Sequence, residues 1–308
     1  MNKKNRVSAP DAGARYYSDV ILCCIPVMIM SVFFYGLRPL FLSFAAVVTG
    51  NLIDRLMAFL RDRRYDPHEH SSECFALVLA LMMPASVPYY VVVVAVGYAI
   101  ACANWPDLMF RFPQPMTRLP LYDLSQVPLI DGADMALRNG GLPSVSSLDL
   151  LLGNFTGPMG STCVLVILAC GLLLALRKDL DLVSSCSFLA ACAVFVWLFP
   201  RLGGVSFGLP WQNLGVRLTM LRYELVANSV VFSAVFLLSE PVTRPKTRQS
   251  RIIYGVCLGV LTMLLKYHGS RETGVAFALI IMNALSSWLD RAVMLLTARK
   301  EARRLENR

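Results

Sequence analysis

Long apolar blocks alternate with short basic segments along this chain, and this pattern constrains its fold more than any other feature. Several blocks approach or reach the roughly 20 residues that a membrane-spanning helix needs, and others fall short of that length. The blocks cover residues 19–36, 40–53, 75–103, 162–176, 182–199, 225–238, 252–265 and 274–289. Hydrophobic residues make up 56% of the chain, which exceeds the apolar share of ordinary globular domains. The sequence therefore predicts an all-α integral membrane protein with many crossings.

Lys and Arg residues lie mostly between the apolar blocks and on one predicted side of the membrane. If the helices alternate from a cytoplasmic N-terminus, most of the 29 Lys and Arg residues fall in cytoplasmic segments. The positive-inside rule then places both termini in the cytoplasm. This orientation requires one more crossing within residues 104–117, which we expect to be broken or re-entrant. Topology thus explains the net charge of +9, and nucleic acid is not an expected partner.

One proline pattern occurs twice and divides the chain into halves. Pro84 and Pro88 end one apolar run, and Pro241 and Pro245 end another, each pair with the spacing P-x-x-x-P. Paired, proline-interrupted apolar segments indicate two inverted repeats with broken helices, here with about nine or ten transmembrane helices. The alternative is that each pair only ends a helix at the membrane surface.

Five segments follow from these boundaries. They are a cytoplasmic tail (1–18), a first membrane repeat (19–117), an external loop (118–147), a second membrane repeat (148–291) and a basic cytoplasmic tail (292–308). The nine cysteines lie in or beside apolar blocks without the spacing of metal ligands. We therefore expect them to pack between helices, and we expect no metal site.

Glycines interrupt the apolar stretch LDLLLGNFTGPMGSTC, which precedes a further helix. Gly153, Gly157 and Gly160 allow close backbone approach, and Ser161 and Thr162 stand at the start of that helix. Hydroxyl groups at a helix N-terminus leave N–H groups able to face an anion. The stretch therefore predicts either a site for a phosphate, a carboxylate or a polar ring edge, or a tight crossing of helices.

Several stretches resemble the RnfD/NqrB family of membrane proteins. Residues 239–291 resemble its C-terminal signature, which runs approximately T-D-P-V-T-S-P, G-R-x-I-[FY]-G, E-G-V-x-F-A-I-L-L-M-N and P-L-I-D. The stretches DLLLGNFTGPMGST, FRFPQPMTRLP and LALMMPASVPYY resemble further family motifs, so the resemblance covers residues 20–291. It implies an integral subunit of a bacterial redox-driven ion pump, of the Rnf or Nqr type, that moves sodium ions or protons. Its electrons pass between ferredoxin and NAD (Rnf), or from NADH to quinone (Nqr).

The resemblance also implies flavins: a bound riboflavin-type flavin, and an FMN esterified to a threonine in a sequence like S-G-A-T. Asp134 stands approximately where that threonine should be, and a carboxylate cannot form the phosphoester link to FMN. Covalent FMN is therefore not expected in this chain. A non-covalent flavin, either FMN or riboflavin, is expected at the broken helices instead. The residues predicted to hold it are Gly153, Asn154, Gly157, Gly160, Thr162, Glu240 and Thr243.

Glu240 replaces the family's aspartate at the second proline pair. A carboxylate in hydrocarbon costs a few kcal/mol, so we expect Glu240 and Thr243 to face water, with Arg244 and Arg248 as ion-pair partners. Glu240 then serves either a surface ion pair alone or a site for flavin or a translocated cation.

Two other polar side chains lie in apolar runs. Asn283 joins Glu240 in the predicted ion path, and its alternative role is a helix–helix hydrogen bond of about 1 kcal/mol. Glu224 lies beside Arg222 near the outer end of its run, so we expect it to reach the membrane interface.

These features together predict an RnfD-like membrane subunit of a redox-driven, ion-translocating electron-transport complex of the ferredoxin:NAD oxidoreductase type. Its expected location is the bacterial cytoplasmic membrane, and its expected partners are the lipid bilayer and the other subunits of such a complex. No catalytic residue is expected in this chain by itself. The alternatives are a redox-silent structural or cation-conducting subunit, and a stand-alone solute channel on the same fold.

Overall fold

Helices make up the regular structure of the described chain, as predicted. The computed structural model describes residues 12–60, 70–103, 146–155, 157–200, 211, 214–226, 229–241, 243–268 and 274–306. The helices in these ranges are α1 Ala12–Tyr35, α2 Arg38–Leu60, α3 Ser71–Leu81, α4 Tyr89–Ala103, α5 Ser147–Leu152, α6 Val164–Leu176, α7 Leu182–Leu198, α8 Leu214–Val226, α9 Val230–Phe236, α10 Arg248–His268 and α11 Gly274–Glu306. The predicted crossing within 104–117 lies outside the described residues, and so does nearly all of the predicted external loop.

The helices have the lengths and surfaces of a membrane protein. Among the described residues, α1, α2 and α10 are each long and apolar enough to cross a bilayer, and the bent α11 is a fourth candidate. The shorter helices α3, α4, α6 and α7 are also apolar. Large apolar side chains such as Phe33, Phe59 and Leu176 are 72% to 80% exposed, as side chains that face lipid are. The chain is a multi-pass membrane protein.

The two proline pairs break helices where the sequence predicted. The helix α3 ends at Leu81, shortly before Pro84, and α4 begins directly after Pro88. The helix α9 ends at Phe236, and α10 begins only at Arg248, beyond the second pair. Proline lacks the N–H group that a helix interior needs and disfavours helical geometry in the residue before it, so neither pair could continue its helix.

Packing in one half of the chain is repeated in the other. The helix α1 contacts α3 as α6 contacts α9, and α2 contacts α4 as α7 contacts α10. The helix α1 and residues 155–177 run antiparallel, because Arg177 pairs with Asp19 near the start of α1 whereas Gly157 bonds to Tyr35 at its end. Equivalent helices that run in opposite directions are what an inverted repeat requires. The repeat itself stays a prediction that these contacts support.

Two cysteines meet where α1 crosses α6. The Cys23 thiol donates to the Cys170 carbonyl oxygen at 4.0 Å, and the Cys170 thiol donates to the Cys23 carbonyl oxygen at 3.3 Å. Such reciprocal contacts are typical of two equivalent elements related by a two-fold axis. Most described cysteines are buried, as expected for helix packing, although Cys186 and Cys257 are exposed.

The short helix α9 lies at the centre of the molecule. Every residue from Val230 to Phe236 is buried, within an apolar cluster that also includes residues of α1, α3, α6 and α10. A helix that is buried on all sides positions whatever follows it inside the protein. Glu240 lies in the short segment that follows this helix.

Candidate functional site

Glu240 is a buried carboxylate in the segment that links α9 to α10. It is 2% exposed, and the Thr243 hydroxyl donates a hydrogen bond to its Oε2 atom. It lies within electrostatic range of buried groups on three helices: Tyr16 of α1, Cys74 of α3 and Tyr254 of α10. The carboxylate therefore stands where both halves of the chain meet.

The expectation that Glu240 faces water is wrong. Glu240 is buried, whereas Arg248 at the start of α10 is exposed. The physical reason is the burial of α9, which directs its C-terminal end into the protein, where the Thr243 hydroxyl stabilises the charge that water would otherwise solvate. Burial of a carboxylate beside a helix break is more typical of a functional site than of a surface ion pair.

Tyr254 binds one residue of the predicted ion path, Asn283. Its hydroxyl donates to Oδ1 of Asn283 at 2.6 Å, and it lies within electrostatic range of Glu240. Asn283 is 8% exposed, and its Nδ2 atom has no hydrogen-bond partner within the described residues. Carboxylate, hydroxyl and amide oxygens of this kind are hard donors, which suit a proton or a hard monovalent cation.

Sequence reasoning did not single out Tyr254. A signal was present, because RIIYG matches the family pattern G-R-x-I-[FY]-G and puts Tyr254 at its aromatic position. The pattern did not say that the phenol faces Asn283, which is 29 residues further along the chain.

The predicted glycine-rich site lies in another place, between α5 and α6. Gly153 ends α5 with a φ of 94°, and a Cβ there would lie 2.8 Å from the backbone carbon of Thr162. A Cβ on Gly160 would lie 2.7 Å from Cβ of Leu81, and one on Gly157 would lie 3.1 Å from the Thr162 side chain. These glycines thus permit close contact within the protein, which was the alternative left open by their spacing.

Backbone hydrogen bonds join this segment to the end of α3. The amide of Gly160 donates to the Leu81 carbonyl oxygen at 2.7 Å, and the amide of Met159 donates to that of Met83 at 3.0 Å. The last carbonyl groups of a helix have no partner within the helix, and lipid cannot supply one. The segment therefore satisfies the broken end of α3, while Asn154 bonds to Asp149 of α5.

The structure does not bring the seven predicted flavin residues into one cluster. The group from Gly153 to Thr162 contacts the end of α3 near Leu81, whereas Glu240 and Thr243 lie near Cys74, about 10 Å earlier on the same helix. Protein atoms lie 2.7 to 3.1 Å from the positions that a Cβ would take on Gly153, Gly157 and Gly160. Flavin binding at these positions stays a prediction. Asp134 lies outside the described residues.

The expectation that Glu224 reaches the membrane interface beside Arg222 is wrong. It is fully buried, and Lys266 of α10 donates to its Oε2 atom. Arg222 points away and donates to the Ser147 hydroxyl at 2.7 Å. Residues two positions apart face nearly opposite sides of a helix, so Arg222 does not pair with Glu224. The partner of Glu224 lies on α10 instead.

Buried charges held by broken helices define this chain as a polytopic membrane protein with an internal polar site. The model of the NQR2, RnfD, RnfE family matches residues 2–106 and 94–295, and the chain belongs to this family. The resemblance seen in the motifs is thereby confirmed.

Curated relatives are similar over nearly the whole chain, and their names describe D-type subunits of redox complexes. The chain is 22% identical to the D-type subunit of the "Proton-translocating ferredoxin:NAD(+) oxidoreductase complex" of Clostridium ljungdahlii over 319 residues, which covers 94% of this chain and 93% of that protein. It is 25% identical to the D-type subunit of the "Ion-translocating oxidoreductase complex" of Yersinia enterocolitica over 329 residues, which covers 88% and 90% respectively. The equivalent protein of Salmonella paratyphi A is 24% identical over 330 residues, with the same coverage of 88% and 90%.

Proposed function

We propose that this chain is the RnfD-type membrane component of a redox-driven, ion-translocating electron-transport complex. Family membership and the near full-length similarity to D-type subunits of such complexes support this role. The chain acts with the other subunits of an Rnf-type complex in the bacterial cytoplasmic membrane, with both termini in the cytoplasm. Within the complex, this chain contributes the membrane path of the cation.

The buried carboxylate of Glu240 carries this proposal. A charge inside a membrane protein costs free energy, and such residues are retained where an ion or a proton passes. Thr243 donates to this carboxylate, and the buried side chains of Tyr254 and Asn283 are hydrogen-bonded to each other within electrostatic range of it. Oxygen atoms of this kind replace part of a cation's hydration shell. The bias of Lys and Arg towards one side supports a cytoplasmic position for this end of α10. Glu240 would therefore receive the cation from that side.

Flavin remains a prediction from the family resemblance, and no step of the proposal passes through it. The glycines between α5 and α6 contact protein atoms, and they lie apart from Glu240 and Thr243. The second candidate function is a redox-silent subunit that conducts the cation while other subunits carry the electrons, and Asp134 at the place of the attachment threonine supports it.

Flavin content separates these two functions. We expect that the denatured polypeptide from the purified native complex retains no flavin, because Asp134 replaces the attachment threonine. Absorbance of the polypeptide and of the released fraction measures this. Flavin that stays attached would contradict the expectation, and flavin released from the isolated chain would favour an electron carrier over the redox-silent subunit.

Purification through a tag on this chain tests the proposed function. We expect the other redox subunits to purify with it, and the complex in liposomes to take up cations when electrons flow. A chain that purifies alone and moves a solute without electron flow would contradict the proposal and favour a channel.

A further inference from the structure

A second charged site joins α8 to α10, far from Glu240. Glu224 is fully buried, Lys266 is 3% exposed, and the Lys266 ammonium donates to Oε2 of Glu224. Lys266 lies in the last turn of α10, about 18 Å beyond Tyr254 along the helix axis. The Glu224–Lys266 pair and the Glu240 site therefore lie at opposite ends of one spanning helix.

Three helices enclose this pair. Arg217, on the same buried face of α8 as Glu224, donates from Nη1 to the carbonyl oxygen of Trp197 at the end of α7. Cys192 of α7 lies within electrostatic range of Lys266. Gly259 lets α10 approach α7 closely, because a Cβ there would lie 2.7 Å from Cβ of Ala191. The two charges are thus held inside the protein and away from lipid.

Stability does not explain a buried ion pair at this place. Removing two ions from water costs more than their attraction returns in many proteins, and apolar residues of similar volume are often equally or more stabilising. Ionisable side chains inside membrane proteins instead mark ion paths and proton relays, usually with a partner of opposite charge. The Glu224–Lys266 pair has this arrangement.

Buried hydroxyl groups lie along the chain between the two charged sites. Ser229 precedes α9 as its N-cap and lies one turn before Ser233, and α9 connects α8 to the segment of Glu240. Thr262 is one turn before Lys266 on α10. Each of the three is at most 1% exposed. Within the described part of the chain, none of these hydroxyls has a hydrogen-bond partner. They are therefore available to a cation or a proton that passes between the carboxylates.

We propose that Glu224 and Lys266 form a second cation station of the transport path. A monovalent cation that arrives at Glu224 replaces the Lys266 ammonium at the carboxylate, and the ammonium returns when the cation leaves. Ser229 and Ser233 supply oxygen atoms between this station and Glu240. The proposal rests on the proposed function, because it requires cation transport through this chain. A sodium ion and a proton share the required chemistry, since each competes with an ammonium group for a carboxylate.

Three variants of the whole complex in liposomes test this station: Glu224→Gln, Lys266→Gln and the double variant. We expect cation uptake driven by electron flow to fall at least about tenfold in all three, because the carboxylate or its competing charge is lost. A purely structural pair behaves differently, since removing both charges together avoids an unpaired buried ion. Recovery of wild-type uptake in the double variant would therefore overturn the proposal.

Conservative variants keep the test valid if neutral ones fail to assemble. Lys266→Arg keeps the charge, but its planar guanidinium binds a carboxylate through two hydrogen bonds and releases it less readily. We expect normal assembly with uptake slowed at least about threefold. Assembled Lys266→Arg complex with wild-type uptake would contradict the station.

A matched control uses the ion pair between Asp19 of α1 and Arg177 at the end of α6, which lies outside both proposed cation sites. The double variant Asp19→Asn with Arg177→Gln should keep wild-type uptake. If this control lost uptake to the same extent, the loss in the Glu224 and Lys266 variants would not be specific to that pair, and the proposal would be overturned.

Two further measurements separate the possible failures. Uptake by the wild-type complex in sodium-free buffer, with and without a protonophore, identifies the cation as sodium or a proton. A wild-type complex that takes up neither overturns the proposed function and the station together. If the wild-type complex takes up cations and the Glu224 and Lys266 variants take them up at the same rate, the station alone is overturned.

Discussion

The two proline breaks have the same outline but differ in chemistry. At the first, residues 82–88 carry no ionisable side chain, and the Arg38 guanidinium donates to the Ser86 carbonyl oxygen at 3.1 Å. At the second, Arg251 donates in the same way to the Pro245 carbonyl oxygen at 2.9 Å, but Glu240 is buried beside it. At both breaks, a guanidinium thus satisfies a backbone carbonyl group and stabilises the break. The second break also has a buried carboxylate, which stability does not require and which indicates a function.

The largest effect should come from removing the arginine at each break. Arg251→Ala should destabilise the protein by about 3–5 kcal/mol, because it also leaves Asp181 as a buried charge without its ion-pair partner. Arg38→Ala removes contacts to backbone carbonyl groups and should cost about 1–3 kcal/mol. Reversible unfolding by denaturant in detergent micelles measures both values. Equal losses of stability in Arg251→Ala and Arg38→Ala would contradict the additional cost expected from Asp181.

A glycine comparison tests how the end of α3 is satisfied. Gly160→Ala should cost about 1–3 kcal/mol, because its Cβ would lie 2.7 Å from Cβ of Leu81 and would separate the backbone hydrogen bond between these residues. Gly215→Ala in α8 is the matched control, since among the described residues no atom beyond its own helix turn and chain neighbours lies within 4 Å of that Cβ position. The control should leave stability unchanged or raise it by up to about 1 kcal/mol. The same unfolding measurement applies, and a tolerated Gly160→Ala would favour an open site there.

The smallest effect sharpens the role of the second break. Tyr254→Phe removes one hydroxyl and leaves Oδ1 of Asn283 without that donor, which should cost about 1–2 kcal/mol of stability. Cation uptake should fall roughly fivefold, the factor that corresponds to about 1 kcal/mol. Tyr90→Phe on α4 is the control, because Tyr90 is 68% exposed and should change neither quantity. Uptake that stays at the wild-type rate in Tyr254→Phe would remove Tyr254 from the path.

Sequence patterns predicted the parts of the fold that depend on local chemistry. Apolar block length indicated the membrane helices, and the proline pairs indicated the breaks at Leu81 and Phe236. The motifs also indicated the family, because they are continuous stretches of sequence rather than spatial arrangements.

Contacts between distant helices could not be predicted in the same way. The expectation for Glu224 follows from Arg222 beside it in sequence. Its partner, Lys266, is 42 residues away, and the rotation of α10 is not visible in the sequence. The burial of Glu240 depends on α9 being enclosed on all sides, which follows from tertiary packing. The spacing of the glycines leaves open whether Gly160 makes room for a ligand or for Leu81. The position of α3, which brings Leu81 against Gly160, decides between them.

Electron-driven cation uptake by complex that carries Glu240→Gln tests the central claim most directly. Glutamine keeps the size and the hydrogen bond from Thr243 but removes the charge that a cation needs. We expect uptake to fall at least about tenfold, with recovery in Glu240→Asp, which restores the carboxylate. Fully assembled Glu240→Gln complex that takes up cations at the wild-type rate would contradict the claim that this buried carboxylate lies on the transport path.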